Sequence, residues 1–399
     1  MYRTCILFAL LGAVGCGRSA EESFQKGVAA QQAGRFEEAI AAYSAAIESD
    51  SQLAMAYFNR GLARLEVEDF EGAIQDLSRT LDLDKESPDA FLARGTAFQA
   101  IKRDDEAVLD FTAAMELNQL DADIYRQRAF SWQALDESDA AIADLGMAIR
   151  LEPDRLELYL DRAEVHRQRG GDSGASVDET LAEFTRKIVE SDDPEARRAR
   201  GRAFFIIAEY ELALADLSAV LKKEPADETA LLTRGQTLYV LGNDEDALAD
   251  YTAVIDAGGK RAREALVGRA VLYETRDDFA AAIDDYKRAI QASPEDDDLL
   301  ARCAWLLGTC PDSKLRDGKQ AVKYAERAGV LTDWKDWFCL DAYAAACAEA
   351  RDFENAVARQ KQAVAIGPED QLGQLQQRLD AYRNHQPYHA GDEDLELRH

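Results

Sequence analysis

Two rows of charge run through this 399-residue chain at a single spacing. Arg60, Arg94, Arg128, Arg162, Arg200, Arg234 and Arg269 recur at one register position. Sixteen residues after each comes an Asp: Asp76, Asp110, Asp144, Asp178, Asp216, Asp250 and Asp285. A guanidinium row alone could bind anions. Matched carboxylates neutralise it, so the interval points to an internal ladder with rungs Arg60–Asp76, Arg94–Asp110, Arg128–Asp144, Arg200–Asp216, Arg234–Asp250 and Arg269–Asp285. Asp178 is set apart, because Gly170-Gly171-Asp172-Ser173-Gly174 reads as an insertion ahead of it, a longer and mobile turn.

Other reactive groups lack suitable neighbours. The chain has four histidines, His166, His385, His389 and His399, and none is spaced from a Ser or Cys as base from nucleophile. Pro387 keeps His385 and His389 off one helical face, so a solvated tail is expected there and not a metal site. Gly318-Lys319 continues into Gln320 and has no glycine five residues earlier, which argues against a phosphate loop. Cys303, Cys310, Cys339 and Cys347 form no Cys-x-x-Cys pair, so zinc is not expected; disulfides and buried thiols both remain open. No catalytic residue, metal or cofactor is expected.

The elements that position the charge rows must repeat with them. Between Ala54 and Ser87 two amphipathic helices can be read, and the same chemistry restarts at Pro88. Gly27, Gly61, Gly95, Ala129, Ala163, Gly201, Gly235, Ala270 and Ala304 place a small residue on each first helix. Ala39, Ala73, Ala107, Ala141, Ala213, Ala247, Ala282, Ala321 and Ala356 do so on each second helix, and one further unit between Ala141 and Ala213 crosses at Thr180 or Leu181. Prolines fall at unit boundaries, where a missing N–H costs least. This period of 34 resembles the tetratricopeptide repeat (TPR). The resemblance implies an all-α solenoid of about ten helix-turn-helix repeats over 23–370, a capping helix in 371–388 and a flexible tail at 389–399. It also implies binding of protein segments on the concave face. The end of the chain, from Ala304 to the RLDAYRNHQPYH stretch, is similar to the closing units of exported bacterial TPR proteins.

The start, MYRTCILFALLGAVG, carries one Arg and an apolar run too short to span a bilayer. Ala13-Val14-Gly15-Cys16 resembles a bacterial lipobox. Residues 1–15 are therefore expected to be a lipoprotein-type signal peptide, Cys16 the lipidated residue, and 16–22 a short tether. Simple export and an uncleaved start are the rivals. The expected location is the cell envelope, on the outer membrane or in the periplasm if the cell is Gram-negative.

A formal charge of −29 repels phosphate backbones, which disfavours nucleic acid and favours basic partners or solubility alone. First-helix positions facing away from the second helices include Phe58, Asn59, Leu62, Arg126, Phe130, Arg167, Arg198, Arg202 and Tyr239. These are the expected partner-binding groove. Its four arginines suggest a locally basic middle suited to an acidic or mixed segment. The expected function is a non-catalytic interaction scaffold, tethered to the membrane through Cys16 alone, for assembly of envelope complexes. The alternative is a soluble exported receptor or chaperone-like binder of peptides.

Overall fold

The computed structural model describes residues 17–390; the expected signal peptide, Cys16 and residues 391–399 lie outside the described residues. The described chain is all helix pairs, divided into two compact units between Asp193 and Pro194. The first unit pairs α1 (Gly17–Gln32) with α2 (Phe36–Ser49), α3 (Ala54–Glu66) with α4 (Phe70–Leu83), and α5 (Pro88–Ala100) with α6 (Asp104–Leu117). It ends with α7 (Ala122–Ala134) on α8 (Ser138–Leu151) and α9 (Leu156–Gln168) on α10 (Asp172–Ser191). The second unit pairs α11 (Pro194–Ile206) with α12 (Tyr210–Lys223), α13 (Glu228–Val240) with α14 (Asp244–Ala257), and α15 (Ala262–Thr275) with α16 (Phe279–Ala292). Then come α17 (Asp297–Thr309) with α18 (Gly318–Leu331), α19 (Trp337–Glu349) with α20 (Phe353–Ile366), and α21 (Leu372–Arg383). Ten pairs and one further helix therefore stand among the described residues.

Within a pair, a small residue on the first helix seats an aromatic or Leu of the second. A Cβ on Gly95 would lie 2.7 Å from Phe111, one on Gly27 2.5 Å from Tyr43, and one on Gly235 2.9 Å from Tyr251. Those rings are fully or almost fully buried, and together with the second-helix alanines they form the core of each repeat.

One backbone device turns the first helix into the second. With Ala344 as the small residue of α19, the residue seven places after the small residue is left-handed in nine of the ten pairs: Gly34, Glu68, Lys102, Asp136, Gly170, Ala208, Gly242, Asp277 and Arg351. It closes the helix with paired bonds such as Glu68 N–H to the Leu65 carbonyl (3.1 Å) and Asp69 N–H to the Arg64 carbonyl (2.9 Å). A left-handed L-residue costs ~1–2 kcal/mol, partly offset by glycine's entropy. Ala208→Gly (φ 61°) is therefore expected to stabilise the second unit by about 0.5–1 kcal/mol in urea denaturation.

Three boundaries differ from those expected. Residues 17–22 are not a tether but the first turns of α1, because nothing between Gly17 and Ser23 breaks a helix and Ala20 is buried. The turn at Gly170 has the ordinary length, and the extra residues lengthen α10 to 20 residues. Ala175, buried three residues before Asp178 as Ala73 is before Asp76, holds the crossing register of that pair; of the two expected residues Thr180 is exposed and Leu181 is buried outside that register. The glycines were misleading because Gly174 serves helix packing: a Cβ there would meet the His166 ring at 2.7 Å. Finally, the capping helix expected over 371–388 is shorter, Leu372–Arg383, and α21 covers the last pair through Leu375, Leu379 and Tyr382, with Arg378 buried beside them. The four cysteines of the second unit are buried thiols. Burial pushes the thiols of Cys303, Cys339 and Cys347 up to about 12, which leaves them unreactive near neutral pH.

Candidate functional site

Every ladder arginine bonds its Asp, and Arg60, Arg94, Arg128 and Arg269 are held at a third corner by a hydroxyl. In the first unit Arg60 donates through Nε and Nη2 to Asp76 Oδ2 and Oδ1 (2.8 and 2.6 Å), and through Nη1 to Ser44 Oγ on α2 (2.8 Å). Arg94 does the same with Asp110 (2.7 and 2.7 Å) and Ser78 (3.1 Å), and Arg128 with Asp144 (2.8 and 2.7 Å) and Thr112 (3.1 Å). Arg162 reaches Asp178 at 3.0 Å; the position matching the hydroxyl is Gly146. In the second unit Arg200 bonds Asp216 (2.7 and 2.9 Å) and Arg234 bonds Asp250 (2.7 and 2.7 Å). Arg269 bonds Asp285 (2.7 and 2.8 Å) and Thr252 (2.9 Å).

A planar fork thus ties a first helix to its own second helix and, where a hydroxyl is present, to the second helix before it. The hydroxyl row is a signal sequence reasoning missed, although Ser44, Ser78 and Thr112 stand sixteen residues before their arginines. At Arg128 the hydrogen bonds donated to Asp144 outweigh burial and hold the guanidinium above its ordinary value. The pair is mostly buried, 13% and 8% exposed at the side chains. Arg128→Met and Asp144→Leu should each cost about 2–3 kcal/mol, below the full-burial limit, and the double variant clearly less than their sum. Thermal and urea melts that gave additive losses would contradict the pairing.

The ladder holds the first helices with their other face outward, where the expected groove residues lie. Phe58 and Asn59 are not available to a partner: both are buried, and Phe58 packs in one core with Leu77, Ala90 and Ala93 of the neighbouring helices. Leu62 is half-buried against the same cluster. Arg126 donates through Nε to Asp161 (2.6 Å) on the next first helix and lies over the Phe130 ring at 5.0 Å. Arg167 is bonded to Glu164 and, at 2.6 Å, to Glu179. Gln99 bridges to Ser131 (3.1 Å) and Gln133 to Gln168 (2.7 Å). Beside these links an open depression of about 690 Å³ is lined by Gln99, Lys102, Asp104, Phe130 and Leu135, and Leu160 is 48% exposed.

In the second unit Arg198 is bonded to Asp227 and faces Glu224. Arg202 is exposed and makes no ion pair among the described residues. Tyr239 is half-buried, and burial raises its hydroxyl above the ordinary value. The locally basic middle is therefore corrected: Arg126, Arg167 and Arg198 each carry an acidic partner, which cancels the field that would draw an acidic segment. Sequence reasoning also missed Ile206 and Val240, 77% and 49% exposed. Their signal was available, since both stand five residues after the small residue of a first helix, where a polar or small side chain is usual in this chain. Such a surface can bind by apolar contact and hydrogen bonding. Among the described residues no helix is long and apolar enough to cross a membrane.

Comparison with known families gives the same architecture. A model described as tetratricopeptide repeat matches residues 58–122, 198–260 and 232–297, and one described as TPR repeat matches 31–67. Residues 1–30, 123–197 and 298–399 lie outside these matches. No curated protein matches the sequence. Among solved structures, a crystal structure of MamA protein is 21% identical, over 44% of this chain and 97% of that one, with a TM-score of 0.43. MamA 41-end from Desulfovibrio magneticus RS-1 is 16% identical over 45% and 100%, with a TM-score of 0.43. The Arabidopsis OM64 TPR domain is 30% identical over 30% and 98%, with a TM-score of 0.29.

Proposed function

We propose, from the tetratricopeptide repeat matches over part of the chain, that it is a non-catalytic scaffold, tethered to a membrane through a lipidated Cys16, that holds partner segments on its first-helix face for assembly of complexes at the cell envelope. Proteins of this family serve as protein–protein interaction scaffolds. The observation that carries the reading is the chain of side-chain bonds running from one first helix to the next in the first unit: Gln99 to Ser131, Arg126 to Asp161, and Gln133 to Gln168. These bonds fix the rotamers around Phe130 before any partner arrives, which lowers the ordering cost of binding. Phe130 and Leu160 supply apolar anchors, and Ile206 and Val240 do so in the second unit. The net charge of −29 selects partner segments that carry basic residues.

The test is affinity purification from the native membrane after mild crosslinking, with intact-mass analysis of the N-terminus in the same sample. A diacyl or triacyl Cys16 and one dominant partner at stoichiometric ratio are expected. An unlipidated chain with weak binding to many unrelated peptides would replace the tethered scaffold with a soluble receptor.

A further inference from the structure

The first-helix face is open in eight repeats and closed in the last two. Five residues after each small residue stand Gln32, Glu66, Ala100, Ala134, Gln168, Ile206, Val240 and Thr275, all exposed. At the same register Thr309 on α17 is fully buried and Glu349 on α19 is half-buried, and Trp305, next to Ala304, is only 6% exposed.

What covers them is α19, packed directly on α17, where a Cβ on Gly308 would lie 3.3 Å from Ala346 N and the Phe338 ring is 6.0 Å from that of Trp305, together with the chain's own C-terminal segment. Helix α21 stops in a left-handed turn at His385 (φ 57°), closed by His385 N–H to the Tyr382 carbonyl and Gln386 N–H to the Ala381 carbonyl, both at 3.0 Å. Pro387 forbids a further helical turn. The next three residues then dock one after another. The Tyr388 ring lies 6.2 Å from the Trp305 ring, and the Arg378 guanidinium is 5.1 Å from Trp305 and 5.4 Å from Tyr388. His389 Nε2 meets Glu349 Oε2 at 2.9 Å, and Ala390 N–H donates to the Thr309 carbonyl at 2.8 Å. His389 and Ala390, which the sequence places in a free tail, are thus held in place, and Ala390 is buried.

We propose that residues 386–390 are a built-in ligand on the first-helix face of the last two repeats, displaced by an extended partner segment in which an aromatic residue is followed by His or another basic residue. The site reads an aromatic ring through Trp305, a basic side chain through the Glu349 carboxylate, and the backbone through the Thr309 carbonyl. None of the three contacts depends on the segment being covalently attached. Glu349 also accepts from Arg316 Nε at 3.1 Å, which orients the carboxylate. The proposal does not depend on the lipid anchor or on the open face of the first unit.

The test uses the full chain and a fluorescent peptide with the sequence of residues 384–390. Tyr388→Ser with His389→Ser should release the segment, and the peptide should bind this variant at least ten-fold more tightly than wild type by anisotropy. Adding Glu349→Gln should remove most of that gain. Ala390→Pro, which removes the N–H donor to Thr309 and leaves the Tyr388 and His389 side chains unchanged, should raise peptide affinity in the same direction and guards against a folding defect in the double variant. In wild type the Ala390 amide should exchange slowly with solvent and at least ten-fold faster in the released variant. Equal peptide binding by wild type and both variants, no binding by any of them, or rapid exchange of Ala390 in wild type would each overturn the proposal.

Discussion

Replacing Asp341 with Leu is expected to destabilise the second unit by about 3–5 kcal/mol, and replacing Arg378 with Met in the same chain to restore most of that loss. Asp341 and Arg378 are 1% and 5% exposed at their side chains and meet at 2.9 Å, with Arg378 Nε also donating to Asp341 Oδ1 at 3.0 Å. Gln360 donates to the same carboxylate at 2.8 Å. The single substitution strands a guanidinium where water cannot reach it. Burial pushes the Asp341 carboxyl above its ordinary range, and the pull of Arg378 and Gln360 does not fully offset this. Ionising it therefore costs the folded state. The stability that the neutral acid provides is present below the ordinary value of 3.8 and lost as pH rises through the raised value. An apolar pair of similar volume avoids that cost. Urea denaturation followed by tryptophan fluorescence near pH 7 measures the cycle. A double variant as unstable as Asp341→Leu alone would show that the ion pair is not what these side chains contribute.

Phe111→Ala is expected to cost about 3–5 kcal/mol in the first unit, through lost burial and the cavity left beneath α5. The ring is fully buried against Gly95, where a Cβ would lie 2.7 Å from Phe111 Cε1. The neighbouring pair solves the same packing with Ala129 over Leu145, one methyl more and a smaller side chain. Gly95→Ala with Phe111→Leu should therefore be less destabilised than the sum of the two single substitutions, because the added methyl fills space the ring vacates. Because repeats contact only their neighbours, hydrogen exchange should speed up first in α5 and α6. A uniform loss of protection throughout the first unit would contradict this local coupling.

Much of the fold was legible because its signals are periodic. A small residue under an aromatic has to recur whenever two helices cross closely, and an Arg and Asp sixteen apart meet because that interval spans one turn between helices on adjoining faces. The errors came where one residue type serves two purposes. Glycine marks turns, so Gly171 and Gly174 suggested a long loop, yet Gly174 makes room for His166. Arginine on a first helix suggested an exposed positive patch, yet Asp161, Glu179 and Asp227 reach three of the four. Phe58 shares the register of groove residues, but its ring lies on the adjacent repeat. The docking of Tyr388 to Ala390 had no periodic signal at all; it rests on contacts with Trp305, Glu349 and Thr309, some 40 to 80 residues earlier in the chain.

The most direct test of the scaffold reading asks which face a partner uses. With the partner recovered by crosslinking, binding should fall at least ten-fold when Phe130 and Leu160 on the first-helix face are both changed to Ser. It should hold when Leu109, 69% exposed on second helix α6, is changed to Ser. Binding lost with Leu109→Ser and unchanged with Phe130→Ser and Leu160→Ser would place recognition on the opposite helices and contradict the account.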